Sequence, residues 1–496
     1  MSNVTTTLFQ QYLQVTSTNN LFNDYKDRWQ FYLESYMGGS EYRGAGHLTR
    51  YQLETDREYA QRIANTPLDN HCKSVISVYT SFLFRDKPNR ELDVLRAVDP
   101  MLEDFLYDAD REGRSLDAFM KEASIWANVF GHCYILVSKP NLGAVTRADE
   151  IALGVRPYVS LITPLTVMDW NWSRGALGNY ELDYLKYKED VNGDISVIKK
   201  WTRDSITTYT VNDADKKVNE EIVEVNGLGF IPVVQVYASR SPVRGIGQSA
   251  ISDIADQQKA IYNEYSEIEQ LIRLQNHPAL VKTPDVEAGA GAGAIIQMPE
   301  NLDPGLKPYL LEPAGNGLDS IYASIANRVA AIDKMANTGA IRTNESRDIS
   351  GVAMRTEFEL LNAKLSELAD NLELAEEQMW EIYCAYLGIG WDGDVEYPGS
   401  FNIQDEESEI AKLKMAKETA TDPRVLNLID HELVELLGED PEVILPSGEY
   451  LPANQLPAEP PFKPHEMYNP ITGDKKIART EDEHIALMNE GYIHEE

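Results

Sequence analysis

The sequence predicts an α+β fold, mainly helical, on three observations. Three long stretches carry apolar residues in 3-4 spacing, the mark of a helix with one buried face. One block, about 155–238, alternates with period two instead and is cut by Asp, Asn and Gly turns. Of the 496 residues, 43% are apolar and 9% aromatic, enough for a large core. At this size about three quarters of the unfolded surface goes inside.

The first 130 residues read as mostly helical. Phe22–Met37 is rich in aromatics and stops at Gly38-Gly39, a glycine stop that suits a C-terminal cap. Residues 52–84 carry scattered apolar positions and end before Asp86-Lys87-Pro88. A helix over Leu116–Asn128 gives way to Gly131-His132-Cys133-Tyr134-Ile135-Leu136-Val137, which reads as a buried strand. In the β block Tyr180–Lys188 alternates, and Val191-Asn192-Gly193-Asp194 supplies a hairpin turn. Ile195–Trp201, Ser205–Val211 and Glu221–Val225 follow. The expectation is one antiparallel meander closed by Ile231–Tyr237, with Pro232 marking an edge or a strand start.

A long helix begins near Gln248, with Ile251, Ile254, Gln258, Ile261, Tyr265, Ile268 and Ile272 on one face. Its span is about 38 Å. Residues 276–315 break the pattern with six prolines and a Gly/Ala run at 288–294; Ala279-Leu280-Val281 and Ala294-Ile295-Ile296 read as short strands inside it. A second helix runs from Leu318 to Ala336, and the polar stretch 337–351 follows it. The longest helix, Val352 to Leu387, keeps Phe358, Leu361, Leu365, Leu368, Leu372, Ala375, Met379, Ile382 and Tyr386 in unbroken 3-4 spacing over about 54 Å. Two shorter helices are expected next. Asp422, Pro423 and Gly438 mark the N-cap, first turn and stop of the second. From Pro446 the chain reads as Pro-rich and extended, apart from a capping box at Thr480–Glu483 that starts a short helix.

Lys and Arg number 45 against 80 Asp and Glu, a formal net charge of −35. Residues 401–496 hold 22 acidic and 8 basic side chains, so the excess leans toward the C-terminus. This balance weighs against a groove that grips nucleic acid by neutralising phosphates, but not against a surface that lets DNA slide past. Three scattered cysteines are no disulfide framework and point to a reducing compartment. No apolar run approaches membrane-spanning length, and the first residues lack the pattern of a signal peptide. The expectation is a product made in the cytoplasm.

The candidate chemistry is thin. His71-Cys72 and His132-Cys133 supply two-His, two-Cys zinc ligands in principle. Adjacent residues splay apart on a helix or strand, so buried cysteines with incidental histidines are the better reading. The Gly289–Gly293 run lacks the Gly-Lys-Ser/Thr of a phosphate-cradling loop and reads as a flexible loop. His431-Glu432-Leu433-Val434-Glu435 has Glu435 where a zinc protease has its second histidine, and Asp392-Gly393-Asp394 lacks the other ligands of a calcium loop. No catalytic residue, cofactor or metal is expected.

Several short motifs, in this order and spacing, resemble the portal proteins of tailed bacteriophages. They are Tyr59-Ala60-Gln61-Arg62, Asn70 and Ser81-Phe82-Leu83-Phe84 before Pro88, then Gly229-Phe230-Ile231-Pro232-Val233-Val234. Gly247-Gln248-Ser249-Ala250-Ile251-Ser252-Asp253-Ile254 resembles the start of the family's first stem helix. Glu345-Ser346 and Ser350-Gly351-Val352-Ala353-Met354 resemble the end of its tunnel loop and the opening of its long wing helix. The resemblance covers about residues 28–388.

It implies a portal fold with wing, stem, clip and crown, assembled as a ring oligomer, a dodecamer, at one capsid vertex of the virion. Double-stranded DNA would be packaged and ejected through it without sequence specificity. The implied wing is 1–247, the stem helices 248–275 and 316–336, and the clip 276–315. The implied tunnel loop is 337–351, with Arg342, Asn344, Glu345, Arg347 and Asp348 as its DNA-channel residues. The long wing helix and its return span 352–404, the crown 405–440, and an acidic, Pro-rich tail 441–496. Implied partners are terminase, major capsid and scaffolding proteins, and neck or adaptor tail proteins, with no membrane. The same helix order also suits a helical capsid scaffold or head–tail adaptor without an axial DNA channel, and an enzyme ranks third.

Overall fold

The computed structural model describes residues 2–276 except 144, 145 and 177, then 279–282, 287–288, 296–297, 301, 303, 305, 307–311, 316–342 and 351–401. Beyond these it describes 413–417, 419, 425–426, 428–430, 433, 465–469, 474–478, 487–488 and 493–494. The chain divides into two compact units, Met1–Asn402 and Ile403–Glu496.

The helices of the first unit are α1 (Ser2–Thr16), α2 (Asn20–Met37), α3 (Gly39–Gly44), α4 (Asp56–Asn65), α5 (His71–Leu83), α6 (Asp93–Val98) and α7 (Leu102–Tyr107). They continue with α8 (Leu116–Phe130), α9 (Arg147–Ala152), α10 (Ser252–Asn276), α11 (Asn316–Ala336), α12 (Gly339–Arg342) and α13 (Gly351–Leu387). The strands are β1 (Asn89–Glu91), β2 (His132–Ser138), β3 (Tyr158–Ile162), β4 (Val167–Arg174), β5 (Tyr180–Asn192), β6 (Ile195–Thr202), β7 (Ser205–Asn212), β8 (Lys217–Val225) and β9 (Val233–Tyr237). Short strands β10 (Ala279–Val281), β11 (Glu287–Ala288), β12 (Ile296–Gln297), β13 (Tyr309–Leu311) and β14 (Asp394–Glu396) complete this unit.

The fold is α+β, as expected, and the helix boundaries have local causes. Asn19 caps α2 by accepting from Leu21 N at 2.9 Å, and Gly38 ends it at φ 67°, its N–H on Glu34 O at 2.9 Å. Thr55 and Glu58 form a capping box on α4. Ser115 opens α8 and Gly131 closes it at φ 91°. On α13 the seam from Leu361 through Ile382 is buried, together with Trp380, Tyr383 and Cys384.

The β block corrects the expected single meander. Its strands divide between two sheets, β4-β5-β6-β7-β8 and β3-β2-β9. Asn226 turns the chain out of the first sheet: its Nδ2 donates to Thr202 O at 2.9 Å and Phe230 O at 2.8 Å. β9 then pairs with β2, Ile135 opposite Val234, where both strands are buried on the core. Period-two alternation says that a segment is a strand, not which neighbour it joins. β4 is an edge of the larger sheet, and its carbonyls are not left bare. Met168 O accepts from Asn19 N at 2.8 Å, and Trp170 O from Asn19 Nδ2 at 3.1 Å.

The main core is one cluster in which α13 and α8 pack on β2 and β9, with α5 and α10 beside them. At its centre two glycines cross. A Cβ on Gly131 would overlap the Gly247 carbonyl, and a Cβ on Gly247 would overlap that of Gly131. The crossing lets the chain leading into α10 finish α8. Ser249 Oγ donates to Val129 O at 2.7 Å, and Ala250 N donates to Asn128 O at 2.9 Å, carbonyls that a helix end otherwise leaves unpaired.

In the second unit, helical backbone is described at 413–417, 419, 425–426, 428–430 and 433, and Lys417 pairs with Asp430. Asp422, Pro423, Gly438 and Thr480–Glu483 lie outside the described residues. The tail is not simply extended. Strands β15 (His465–Tyr468), β16 (Lys475–Ala478) and β17 (Ile493–His494) form an antiparallel sheet in the order β16-β15-β17. In the sequence, Asn469-Pro470 and Gly473 between β15 and β16 are the signal for it.

Gly247→Ala should cost about 2–4 kcal/mol, because backbone cannot yield to the added methyl. Gly388→Ala, at φ 73° in open space, should cost about 1 kcal/mol. Denaturant titration of both variants checks this, and equal losses would show that the crossing is not tight.

Candidate functional site

The segment singled out by the sequence lies at one end of a helix pair. α10 and α11 run antiparallel, joined through Glu264, whose Oε1 accepts from Ser324 Oγ at 2.8 Å and Arg328 Nε at 2.9 Å. Arg328 Nη1 also donates to Gln257 Oε1 at 3.1 Å. Apolar packing adds Ile261 and Ile268 from α10 and Ile325 and Ile332 from α11, all buried. Beyond the far ends, β10 pairs antiparallel with β13, Leu280 opposite Leu310, and β11 with β12. Ala279–Val281 is thus a strand, as expected. Of 294–296 only Ile296 lies among the described residues, in β12.

The near end of α10 is fastened by polar groups from residues 35–72. Gln258 is fully buried; its Nε2 donates to Ser35 O at 2.9 Å and its Oε1 accepts from Cys72 N at 2.9 Å. Cys72 N is a first-turn donor of α5, and Asn70 Oδ1 takes the next, Lys73 N, at 2.8 Å. A side chain of α10 therefore completes the cap of α5. Asn263 holds Thr49 N at 2.7 Å and His47 O at 3.0 Å. Arg62, buried, donates from Nη1 to Ser266 Oγ at 2.9 Å and from Nε to Glu54 Oε1 at 2.8 Å, under the Tyr51 ring at 4.0 Å. This hydrogen bonding from Arg62 holds the Glu54 carboxyl below the usual range.

Two tyrosines add longer fasteners. Tyr51 Oη donates to Glu267 at 2.7 Å and Tyr265 Oη to Asp69 at 2.8 Å. Burial, with the partner carboxylate, pushes each phenol up to about 12, so both stay donors. Of the residues that carry the portal resemblance near the N-terminus, Arg62 and Asn70 belong to this anchorage. Gln258 was legible only as a seam position; Asn263 and Ser266 gave no sequence signal.

α11 ends where Asn337 takes the left-handed conformation at φ 55°. Tyr79 Oη of α5 donates to Ala336 O at 2.7 Å, and Thr338 N to Asp333 O at 3.0 Å. A one-turn helix, α12, then runs to Arg342, so the start of the polar stretch 337–351 is helical rather than loop. A cleft of about 240 Å³ opens here between Tyr79, Gln248, Asp253, Met335 and Lys364. Of the predicted channel residues, Arg342 closes α12; its side chain, with Asn344, Glu345, Arg347 and Asp348, lies outside the described residues. α13 begins at Gly351, one residue earlier than expected.

The zinc idea finds no geometry. Cys72, Cys133 and Cys384 are buried thiols, and His132 is fully buried, accepting from Gly247 N at 3.2 Å. Burial pushes that imidazole down to about 3, so it is neutral. Among the described residues no three His, Cys, Asp or Glu side chains gather as metal ligands, and no helix is long and apolar enough to cross a membrane.

No protein-family model matches the chain, and no curated protein matches it. Among solved structures, a chain from the virion of a native gene transfer agent particle aligns at 10% identity and a TM-score of 0.41, covering 78% of this chain and 97% of that one. A chain from the neck of an empty gene transfer agent particle aligns at 12% identity and 0.44, covering 79% and 98%. Likenesses this distant carry no argument about function.

Gln258→Met, close in volume, should cost about 2–4 kcal/mol, since it strands a buried N–H and a buried C=O. Urea unfolding measures it; a variant as stable as the wild type would show that the anchor is dispensable.

Proposed function

We propose that this protein is a portal-type conduit: a ring subunit, non-catalytic, at a single capsid vertex, through which double-stranded DNA passes. The observation that carries this reading is the realised order of parts. An antiparallel helix pair bears paired short strands at its far end and continues at its near end, through 337–351, into the 37-residue helix α13. That order falls within the stretch where the sequence resembles portal proteins. In this reading α10 and α11 are the stem, 276–315 the clip on which terminase and later neck or adaptor proteins dock, and 405–440 the crown. The ring is a dodecamer in the virion, held by major capsid and scaffolding proteins.

The charge fits a conduit. A net −35 repels phosphates, which keeps a passing duplex from sticking. The charged residues of 337–351, Arg342, Glu345, Arg347 and Asp348, balance one another, so the segment tracks DNA without the salt-sensitive grip of a basic groove. The energy for packaging comes from a separate terminase.

Arg342→Ala with Arg347→Ala should leave folding and assembly intact and lower the amount of DNA packaged or retained. Genome content per particle, read by quantitative PCR against coat protein, measures it. Full genomes packaged at the normal rate would remove the DNA role of this segment. Purified protein whose electron-microscopy class averages show compact particles or open arcs without an axial hole, in particles as well as in solution, would favour the scaffold reading instead.

A further inference from the structure

Outside the helix pair, the most unusual charge arrangement is in the five-stranded sheet. At the end where the 173–180 and 202–205 turns meet residues 240–245, a cleft of about 460 Å³ is lined by Trp172, Tyr180, Arg203, Tyr237, Arg240 and Arg244. The Arg244 guanidinium sits 3.2 Å from the centre of the Tyr180 ring, with Arg174 at 4.9 Å from the same ring. Arg240 stacks over Tyr237 at 5.1 Å. The carboxylates at the cleft are already engaged: Glu181, which lines it, and Asp183 beside it both pair with Arg203, at 2.9 and 3.1 Å. Arg174, Arg240 and Arg244 pair with no carboxylate among the described residues. The indole Nε1 of Trp172, shielded from solvent, also has no hydrogen-bond partner among them.

In a chain with nearly twice as many acids as bases, a cleft whose lining carboxylate, Glu181, is already paired with Arg203 and whose other arginines pair with no carboxylate among the described residues suits an incoming carboxylate. Guanidinium forks take carboxylates in fixed geometry, and the rings take apolar groups between them. The opposite edge of the same sheet supplies that chemistry. The β4 edge is covered by Asn19, but β8 is an edge strand with exposed Ile222, Val223 and Val225. Strand alternation puts Glu220, Ile222 and Glu224 on one face, away from Glu221, which Gln11 of α1 contacts at 3.2 Å. All three are exposed, and the two carboxylates lie about 13 Å apart across the isoleucine.

Within one copy neither Glu220 nor Glu224 is among the residues that line the cleft. Two different, complementary surfaces on one molecule make a head-to-tail contact, the kind that closes into rings. An open apolar edge also needs a cover in a soluble assembly.

We propose that the cleft lined by Arg240 and Arg244, with Arg174 beside it on the Tyr180 ring, receives the Glu220–Ile222–Glu224 face of strand β8 from a second copy of this chain. The proposal rests on the ring reading and names the residues that join neighbouring subunits.

A charge-reversal cross tests it. One variant carries Arg240→Glu and Arg244→Glu, the other Glu220→Arg and Glu224→Arg; all four positions are exposed, and circular dichroism melts verify folding. Assembly of the full chain is followed by sedimentation velocity over a concentration series. Each variant alone should need at least tenfold more protein than the wild type to assemble. An equimolar mixture should recover wild-type assembly, because alternating subunits then meet opposite charge at every contact. Variants that assemble like the wild type, or a mixture that fails to recover, would overturn this interface while leaving the ring reading standing. Loss in the arginine variant alone would assign the cleft to another acidic segment, such as residues 403–496 of a neighbour, and overturn the role of β8. A wild type that forms no ring, in solution or in particles, would overturn both.

Discussion

The backbones of Gly131 and Gly247 approach more closely than any side chain would allow, and much of the first unit follows from that approach. It brings the end of α8 against the residues that precede α10, so that Ser249 and Ala250 supply the donors that α8 lacks. It places β2, which starts one residue after Gly131, against β9, and Ala238 N reaches Gly131 O at 3.0 Å. The start of α10 is thereby fixed on the core before its own side chains make a contact. A helix pair that has to project from a rigid body gains from such a root, because backbone held by backbone has little freedom to hinge.

Polar fasteners then set the direction of the pair. Gln258, Asn263 and Ser266 occupy successive turns of α10 and meet four different segments between residues 35 and 72. Apolar seams alone allow helices to slide by a turn; buried side-chain hydrogen bonds to backbone do not, since each slip strands a donor or an acceptor. Glu264 performs the same service between α10 and α11. Buried polar groups, more than the seams, define the register of this part of the molecule.

How much of this was legible in the sequence divides along the same line. α13 was readable because its seam repeats through nine positions, and α2 because Gly38-Gly39 punctuates it. The 3-4 spacing of α10 even included Gln258, though as one more half-apolar position. Its partners, Ser35 and Cys72, lie about 190–220 residues away, and no local pattern reports them. The same limit explains β9, whose alternation was seen but whose partner β2 comes from almost 100 residues earlier. The tail sheet was missed for a different reason: its prolines outweighed the Asn-Pro and Gly signal between the segments that form β15 and β16. For the predicted channel residues the sequence supplied polarity and balanced charge. The structure adds that α12 and the Asn337 cap lead into them.

In the proposed function an anchored helix pair, repeated around an axis, lines a path for DNA. An asymmetric cryo-electron-microscopy reconstruction of DNA-filled particles tests it most directly. The account predicts a ring of this chain at one vertex, with α10 and α11 around the axis and duplex density running through the centre. Copies of this chain at every vertex, or a ring whose axis holds no DNA and whose helix pair points away from it, would contradict the account.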